Sequence, residues 1–122
     1  MLQTQAKLGR VLPHGYVARM CRQNGGEVNA GQDVWELFPI FDGSDRKRLS
    51  RTCNDIVRET ERARKRPDFP PAAIAIGANG SGDLLILLPD SDGERYADAV
   101  YWWDHETGAI EQVADGFEDL ER

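Results

Sequence analysis

The apolar residues in the first half of the chain recur at helical spacing in two segments. The first stripe follows Pro13 and consists of Tyr16, Val17, Met20 and Cys21. It predicts a short helix that ends at Asn24-Gly25-Gly26, because asparagine and glycine accept the left-handed conformation that terminates helices. The second stripe follows turn residues 42–45 and consists of Leu49, Cys53, Ile56, Val57 and Thr60. It predicts a longer helix through Arg66, since Pro67 forbids continuation.

From residue 73 onward the pattern is typical of strands. Two apolar segments, Ala73–Ala78 and Asp83–Leu88, are separated by the turn residues Asn-Gly-Ser-Gly and predict a hairpin. Because residues 84–88 are apolar without interruption, both faces of the second strand should be covered, and it should lie centrally in a sheet. Residues Ala99–Asp104 predict a third antiparallel strand beside it.

Shorter segments complete the predicted fold. Val34–Phe38 predicts a strand at the edge of the sheet, because Pro39 limits further pairing. Ala109–Val113 predicts a further short strand, and residues 115–120 a brief acidic helix. We therefore expect residues 1–122 to form a single α+β domain, with a small, mostly antiparallel sheet flanked by helices.

Several motifs also occur in a distinctive order. They are Leu12-Pro13 with Tyr16, the Asn24-Gly25-Gly26 cap, Trp35-Glu36-Leu37, Phe69-Pro70 with Ile74–Gly77, Gly80, Gly82 and Asp83, and Val100–Glu106 with the late Phe117. From about Leu8 to the C-terminus this set resembles the SUKH superfamily, specifically its Smi/Knr-like branch. The segment before Leu8 is shorter than the leading helix typical of that family. The resemblance implies an α+β domain and, in bacteria, service as an immunity protein that neutralises a polymorphic toxin, whereas fungal relatives act as regulatory hubs.

Composition narrows the classes of function. The 122 residues are 40% hydrophobic and 30% charged, and no apolar stretch approaches the roughly 18 residues of a membrane helix. Residues 1–10 lack the apolar core of a secretory signal, so we expect a cytoplasmic protein. Two cysteines and two histidines without CxxC or HxxxH spacing do not provide an ordinary zinc site. We expect no metal and no cofactor, with both cysteines buried on helices.

The net charge of −6 is divided unevenly along the chain. Residues 1–82 carry thirteen Lys and Arg against nine Asp and Glu, whereas residues 83–122 carry two against twelve. An acidic surface repels nucleic acid and attracts basic proteins, although acidic rims also serve solubility alone. The basic last turn of the second predicted helix, Arg64–Arg66, is an alternative interface that could bind phosphates. Carboxylates are interleaved with the basic residues of this helix, however, and they favour a solvent-exposed face without a partner.

The candidate partner-binding residues lie in the acidic part of the chain. The carboxylates are Asp83, Asp90, Asp92, Asp104 and Glu106. Tyr101 and Trp103 share one side of the predicted strand, and such residues are enriched at binding hot spots. The alternative is that helices cover both faces of the strand and bury them. We assign Trp35 and Trp102 to packing.

A catalytic site is not predicted. Asp104-His105-Glu106 could supply a general base, but in a strand His105 points away from both carboxylates. Ser81 lies in a glycine turn without a base nearby in sequence. Asp90, Asp92 and Gly93 lack the later ligands of a calcium loop.

These patterns lead to one hypothesis and two alternatives. The protein is expected to be an immunity protein whose acidic part binds a basic toxin, such as a nuclease, with Tyr101 or Trp103 as an aromatic anchor. It should be a monomer when free and bind neither nucleic acid nor membranes. The alternatives are a regulatory scaffold for an endogenous protein and, less favoured, a hydrolase using His105.

Overall fold

A computed structural model describes residues 2–42, 46–47 and 55–120 of the chain. The helices with both ends in the described residues are α1 (Leu2–Leu8), α2 (His14–Arg22), α3 (Ile56–Ala63) and a short 3-10 helix (Phe117–Asp119). The strands are β1 (Gly26–Ala30), β2 (Asp33–Leu37), β3 (Ile74–Ala78), β4 (Leu84–Leu87), β5 (Val100–Trp103) and β6 (Ile110–Ala114). In this part of the chain no helix has the length and apolar character needed to cross a membrane.

The six strands form one antiparallel sheet in chain order, β1 to β6. This confirms the α+β class, the hairpin of β3 and β4, and the central position of β4. The predicted edge position of β2 is wrong, because β1 pairs along its whole length. Gly31 and Gln32, with φ of 59° and 66°, form the tight turn between them. The sequence did not predict β1, because residues 26–30 are partly polar and lack the apolar pattern of a strand.

The second predicted helix is corrected at its start. α3 begins at Ile56, because Asp55 is extended (φ −67°, ψ 167°) and caps it. The Asp55 side chain accepts hydrogen bonds from the backbone N–H groups of Val57 (3.0 Å) and Arg58 (3.1 Å), a role for which aspartate is well suited. The turn residues 43–45 and the stripe residues Leu49 and Cys53 lie outside the described residues. Cys21, expected to be buried, is exposed.

Strand register divides the sheet into two faces. Directly opposite residues share a face, and one row across the sheet contains Leu37, Gly77, Leu85, Trp102 and Glu111. The row next to it, on the other face, contains Glu36, Ala78, Leu84, Trp103 and Ile110. The two neighbouring tryptophans of β5 therefore enter different surroundings.

Each tryptophan of β5 packs edge to face against another aromatic ring. Trp102 meets the fully buried Trp35 with ring centroids 4.9 Å apart, and Trp103 meets Phe69 at 5.2 Å. α3 packs against β3, where Thr60 Oγ1 accepts a hydrogen bond from Ala75 N at 2.9 Å. These contacts hold β5 and its neighbours against the core, next to the end of the sheet where the candidate site lies.

Candidate protein-binding site at the Asp83 end of the sheet

Three of the predicted carboxylates lie at one end of the sheet. β4 starts directly after Asp83, and its antiparallel neighbour β5 ends directly before Asp104. Leu84 and Trp103 are paired, so the residues just outside them are neighbours. Glu106 follows in the turn between β5 and β6. We call the group Asp83, Trp102, Asp104, His105 and Glu106 the Asp83 end.

Asp83 holds this end together through hydrogen bonds to residues distant in sequence. Its Oδ2 accepts from Trp102 Nε1–H at 2.9 Å. Its Oδ1 accepts from the backbone N–H of His105 at 3.0 Å and lies 2.5 Å from His105 Nδ1. Because an ionised carboxylate only accepts, His105 Nδ1 carries the proton in this contact. One half-buried side chain therefore fixes an indole, an imidazole and the start of a turn.

These contacts also set the protonation of Asp83. Burial by itself would raise the pKa of the carboxyl group, but the hydrogen bonds from His105 and Trp102 outweigh it. The pKa of Asp83 is lowered as a result. The group is therefore a carboxylate at neutral pH and adds negative charge to this end.

His105 lies in a turn rather than in a strand. The expected alternation, with His105 pointing away from Asp104 and Glu106, is wrong because β5 ends at Trp103. The imidazole lies against Gly82, where an added Cβ would come within 3.0 Å of the ring. Its Nε2 lies 4.0 Å from Glu106 Oε1. The chain therefore bends after Trp103, and this bend brings the His105 imidazole close to the carboxylates of Asp83 and Glu106.

The two tryptophans of β5 both pack against the core, but they are buried to different extents. Trp103, predicted as a possible surface anchor, is fully buried, so the correction is that it belongs to the core beneath Phe69. Tyr101 is half-buried and remains accessible in part. Trp102, assigned to packing, is also half-buried and borders a pocket of about 200 Å³. Asp104, Ala109 and Glu111 complete the lining of this pocket.

Asp83, Asp104 and His105 can also be considered as metal ligands. One ligand atom from each lies within 4.8 Å of the others. No metal was expected from the sequence, where spacing along the chain could not reveal a cluster that the β4–β5 pairing brings together. Both oxygens of Asp83 already accept hydrogen bonds from the chain, and Asp104 Oδ1 accepts from the N–H groups of Glu106 and Thr107 at 2.8 and 3.4 Å. The cluster thus has a structural role of its own.

The sequence of residues 2–122 matches the model of the SMI1 / KNR4 family (SUKH-1). The chain belongs to this family. The match includes α1 and so extends beyond the motifs that begin near Leu8. Comparisons with curated proteins and with solved structures gave no significant match.

Two predicted site residues of this SUKH-1 chain lie away from the Asp83 end. Asp90 and Asp92 follow β4 and are therefore at its opposite end. Their carboxylates accept hydrogen bonds within their own turn, from Gly93 N at 3.2 Å and Glu94 N at 3.1 Å. A hydrogen bond between the two side chains raises the pKa of Asp90 and lowers that of Asp92. The predicted carboxylates thus form two separate groups rather than one surface.

Glu111 was not among the residues predicted from the sequence. It is exposed on β6 and lies directly opposite Trp102. Its position depends on the register between β5 and β6, which shifts between Val100 and Tyr101. The sequence pattern of residues 110–114 did not predict which side of β6 Glu111 lies on, because the first three residues of this strand are all exposed.

Proposed function

We propose that this SUKH-1 protein is a cytoplasmic immunity protein that binds and neutralises a basic toxin, such as a nuclease, through the Asp83 end and the adjoining Glu111. The observation that carries the proposal is the set of carboxylates gathered at one end of the sheet in a member of this family. The resemblance to Smi/Knr-like proteins supplies the immunity role. The carboxylates at the Asp83 end support the choice of this surface.

Electrostatics supports a basic partner. Residues 83–122 carry twelve acidic and two basic residues, and Asp83, Asp104, Glu106 and Glu111 lie towards one end of β4, β5 and β6. A toxin that handles nucleic acid carries positive charge around its cleft. Complementary charge accelerates encounter, and bound carboxylates would occupy the surface that the nucleic acid needs.

The proposal is tested by charge reversal on this surface. The partner is first captured from native cells with the tagged protein, identified and purified. We expect the double variant Glu106→Lys with Glu111→Lys to slow association about tenfold at low salt and to flatten its salt dependence, because steering is lost. Stopped-flow fluorescence measures the rate, and coexpression with the toxin measures neutralisation.

A matched control is present on the first two strands. Glu27 and Glu36 are exposed and directly opposite each other on β1 and β2, so replacing both with lysine changes the net charge by the same amount. The control should associate at nearly the wild-type rate. Equal slowing by both double variants, or no slowing by either, would exclude the Asp83 end as the docking surface. Capture of an endogenous regulatory protein instead of a toxin would favour the scaffold alternative.

The contact between Asp83 and His105 favours one enzymatic alternative. A carboxylate that orients an imidazole is the arrangement of a general base. The nearby hydroxyl of Ser81, however, donates to Asn79 Oδ1 at 2.7 Å rather than to His105. If the protein acts by binding, His105→Ala should lower neutralisation in the coexpression assay only as far as it weakens toxin binding, which is measured in parallel. Loss of neutralisation by a variant that still folds and binds the toxin would support the hydrolase.

A further inference from the structure

We propose that the pocket between β5 and β6 receives the cationic head group of one arginine or lysine side chain of the partner. Its lining residues are Trp102, Asp104, Ala109 and Glu111, and we call it the Trp102 pocket. The inference rests on the proposed function in that it takes the partner to be a basic protein. It goes further by assigning one side chain of the partner to one place on this surface.

The indole of Trp102 is held in a fixed orientation. Its Nε1–H donates to Asp83 Oδ2 at 2.9 Å, and its ring meets Trp35 edge to face. Gly31 in the β1–β2 turn also approaches the ring so closely that an added Cβ would lie 2.9 Å from Trp102 Cε3. A ring that is already fixed loses little conformational entropy when a ligand stacks on it.

Two carboxylates lie beside this indole. Glu111 is directly opposite Trp102 in the register of β5 and β6. Asp104 follows the end of β5, and its Oδ1 is held by two backbone N–H groups of the turn. Within the described part of the chain, the Glu111 carboxylate makes no hydrogen bond or ion pair. An aromatic ring that lines a pocket next to unpaired negative charge attracts a cation by both cation–π and ionic interactions.

The size of the pocket selects a head group rather than a whole ligand. Its volume is about 200 Å³, which is below the roughly 300–1,000 Å³ of ordinary small-molecule sites. A planar guanidinium fits such a site well, because it can stack on the indole and donate to a carboxylate at the same time. Arginine is also enriched among the residues that dominate protein interfaces.

The experiment follows the Trp102 indole N–H signal of ¹⁵N-labelled protein by NMR. Its assignment comes from the signal lost in Trp102→Phe. The probes are the blocked tripeptides acetyl-Gly-Arg-Gly-amide, acetyl-Gly-Lys-Gly-amide and acetyl-Gly-citrulline-Gly-amide. We expect the arginine peptide to shift this signal in the millimolar range, the lysine peptide to shift it more weakly, and the neutral citrulline peptide to leave it in place.

Two conservative variants separate the pocket from the general negative charge. Glu111→Gln should weaken arginine-peptide binding about threefold, as expected for one exposed ion pair. Glu36→Gln removes the same charge from an exposed residue of β2 that lies outside both the pocket and the Asp83 end, and it should bind as the wild type does. Urea unfolding midpoints verify that both variants are folded.

The outcomes distinguish this inference from the proposed function. Equal shifts with arginine and citrulline peptides, or equal weakening by both variants, would overturn the pocket as a cation site. If the purified toxin bound Glu111→Gln and Trp102→Phe as tightly as wild type while the double charge reversal at Glu106 and Glu111 still slowed association, the pocket would be rejected and the docking surface retained. Peptide binding that follows the expected order in a protein that neutralises no toxin would support the pocket and reject the immunity role.

Discussion

The two ends of β4 are both acidic but are built in different ways. At one end, Gly82 and Asp83 precede the strand, and at the other end Asp90, Asp92 and Gly93 follow it. Gly82 and Gly93 both have positive φ, 107° and 74°. Charge and turn residues along the sequence therefore made the two ends look equivalent.

The two ends differ in how far along the chain the hydrogen-bond donors to their carboxylates lie. Asp83 bonds to Trp102 and His105, which are 19 and 22 residues away. Asp90 and Asp92 bond to backbone groups only three and two residues away. A local turn holds its own carboxylates in any chain that forms the turn, whereas the Asp83 end exists only when β4 and β5 are paired. A surface that the folded sheet fixes in this way is suited to specific recognition.

The largest expected effect comes from removing the Asp83 carboxylate. Asp83→Ala leaves the Trp102 indole N–H and the His105 backbone N–H without their acceptor, and we expect it to lower the free energy of unfolding by about 3 kcal/mol. Asp92→Ala, the control at the other end, should cost less than about 0.5 kcal/mol, since its hydrogen bond is exposed and local. Urea denaturation followed by far-UV circular dichroism measures both. Similar losses would contradict the distinction between the two ends.

The second comparison uses the two glycines. Gly82→Ala introduces a Cβ within 3.0 Å of the His105 ring, whereas a Cβ at Gly93 meets no atom within 4 Å. Both substitutions place a side chain at positive φ, so Gly93→Ala should cost about 1 kcal/mol and Gly82→Ala about 2 kcal/mol. Urea unfolding measures both losses, and repeating the Gly82→Ala measurement in a His105→Ala background isolates the part that is due to the His105 contact. Equal losses of stability in both variants would show that the imidazole does not pack against Gly82.

The smallest expected effect is the pH dependence. Because the pKa of Asp83 is lowered by folding, its stabilising contribution is complete above its unfolded pKa of about 3.9 and is lost as the pH falls through the folded pKa. The stability difference between the wild type and Asp83→Asn should therefore shrink in acid. In a carboxyl ¹³C NMR titration, the pKa of Asp83 should be lower, and the pKa of Asp90 higher, than the usual pKa of an aspartate. The reverse order would contradict both assignments.

The sequence predicted local features better than contacts. Apolar periodicity located α2, the hairpin of β3 and β4, and the strand β5, because these depend on neighbours in the chain. It extended the second helix across Asp55, where the side chain instead caps α3. It also missed β1, whose polar residues pair with β2 through backbone groups that carry no side-chain signal.

The arrangement of the candidate site residues was predicted less well than the fold. The sequence placed Asp83, Asp104 and Glu106 among the candidates, but it included Asp90 and Asp92 with them and favoured Trp103 over its neighbour. Because side chains alternate along a strand, adjacent tryptophans are predicted to lie on opposite faces of the sheet, but alternation does not predict which face is covered. That choice depended on Phe69, which comes from a distant loop and packs on Trp103.

The sequence by itself determined the family, the α+β class, the positions of most elements and the accumulation of negative charge in residues 83–122. These properties follow from residue order and from short-range preferences of the backbone. Only the tertiary structure decided which carboxylates stand together, that His105 contacts Asp83, and that Trp102 and Glu111 border one pocket. The reason is that strand pairing and register connect residues far apart in the chain, and a shift of one residue would move each side chain to the opposite face.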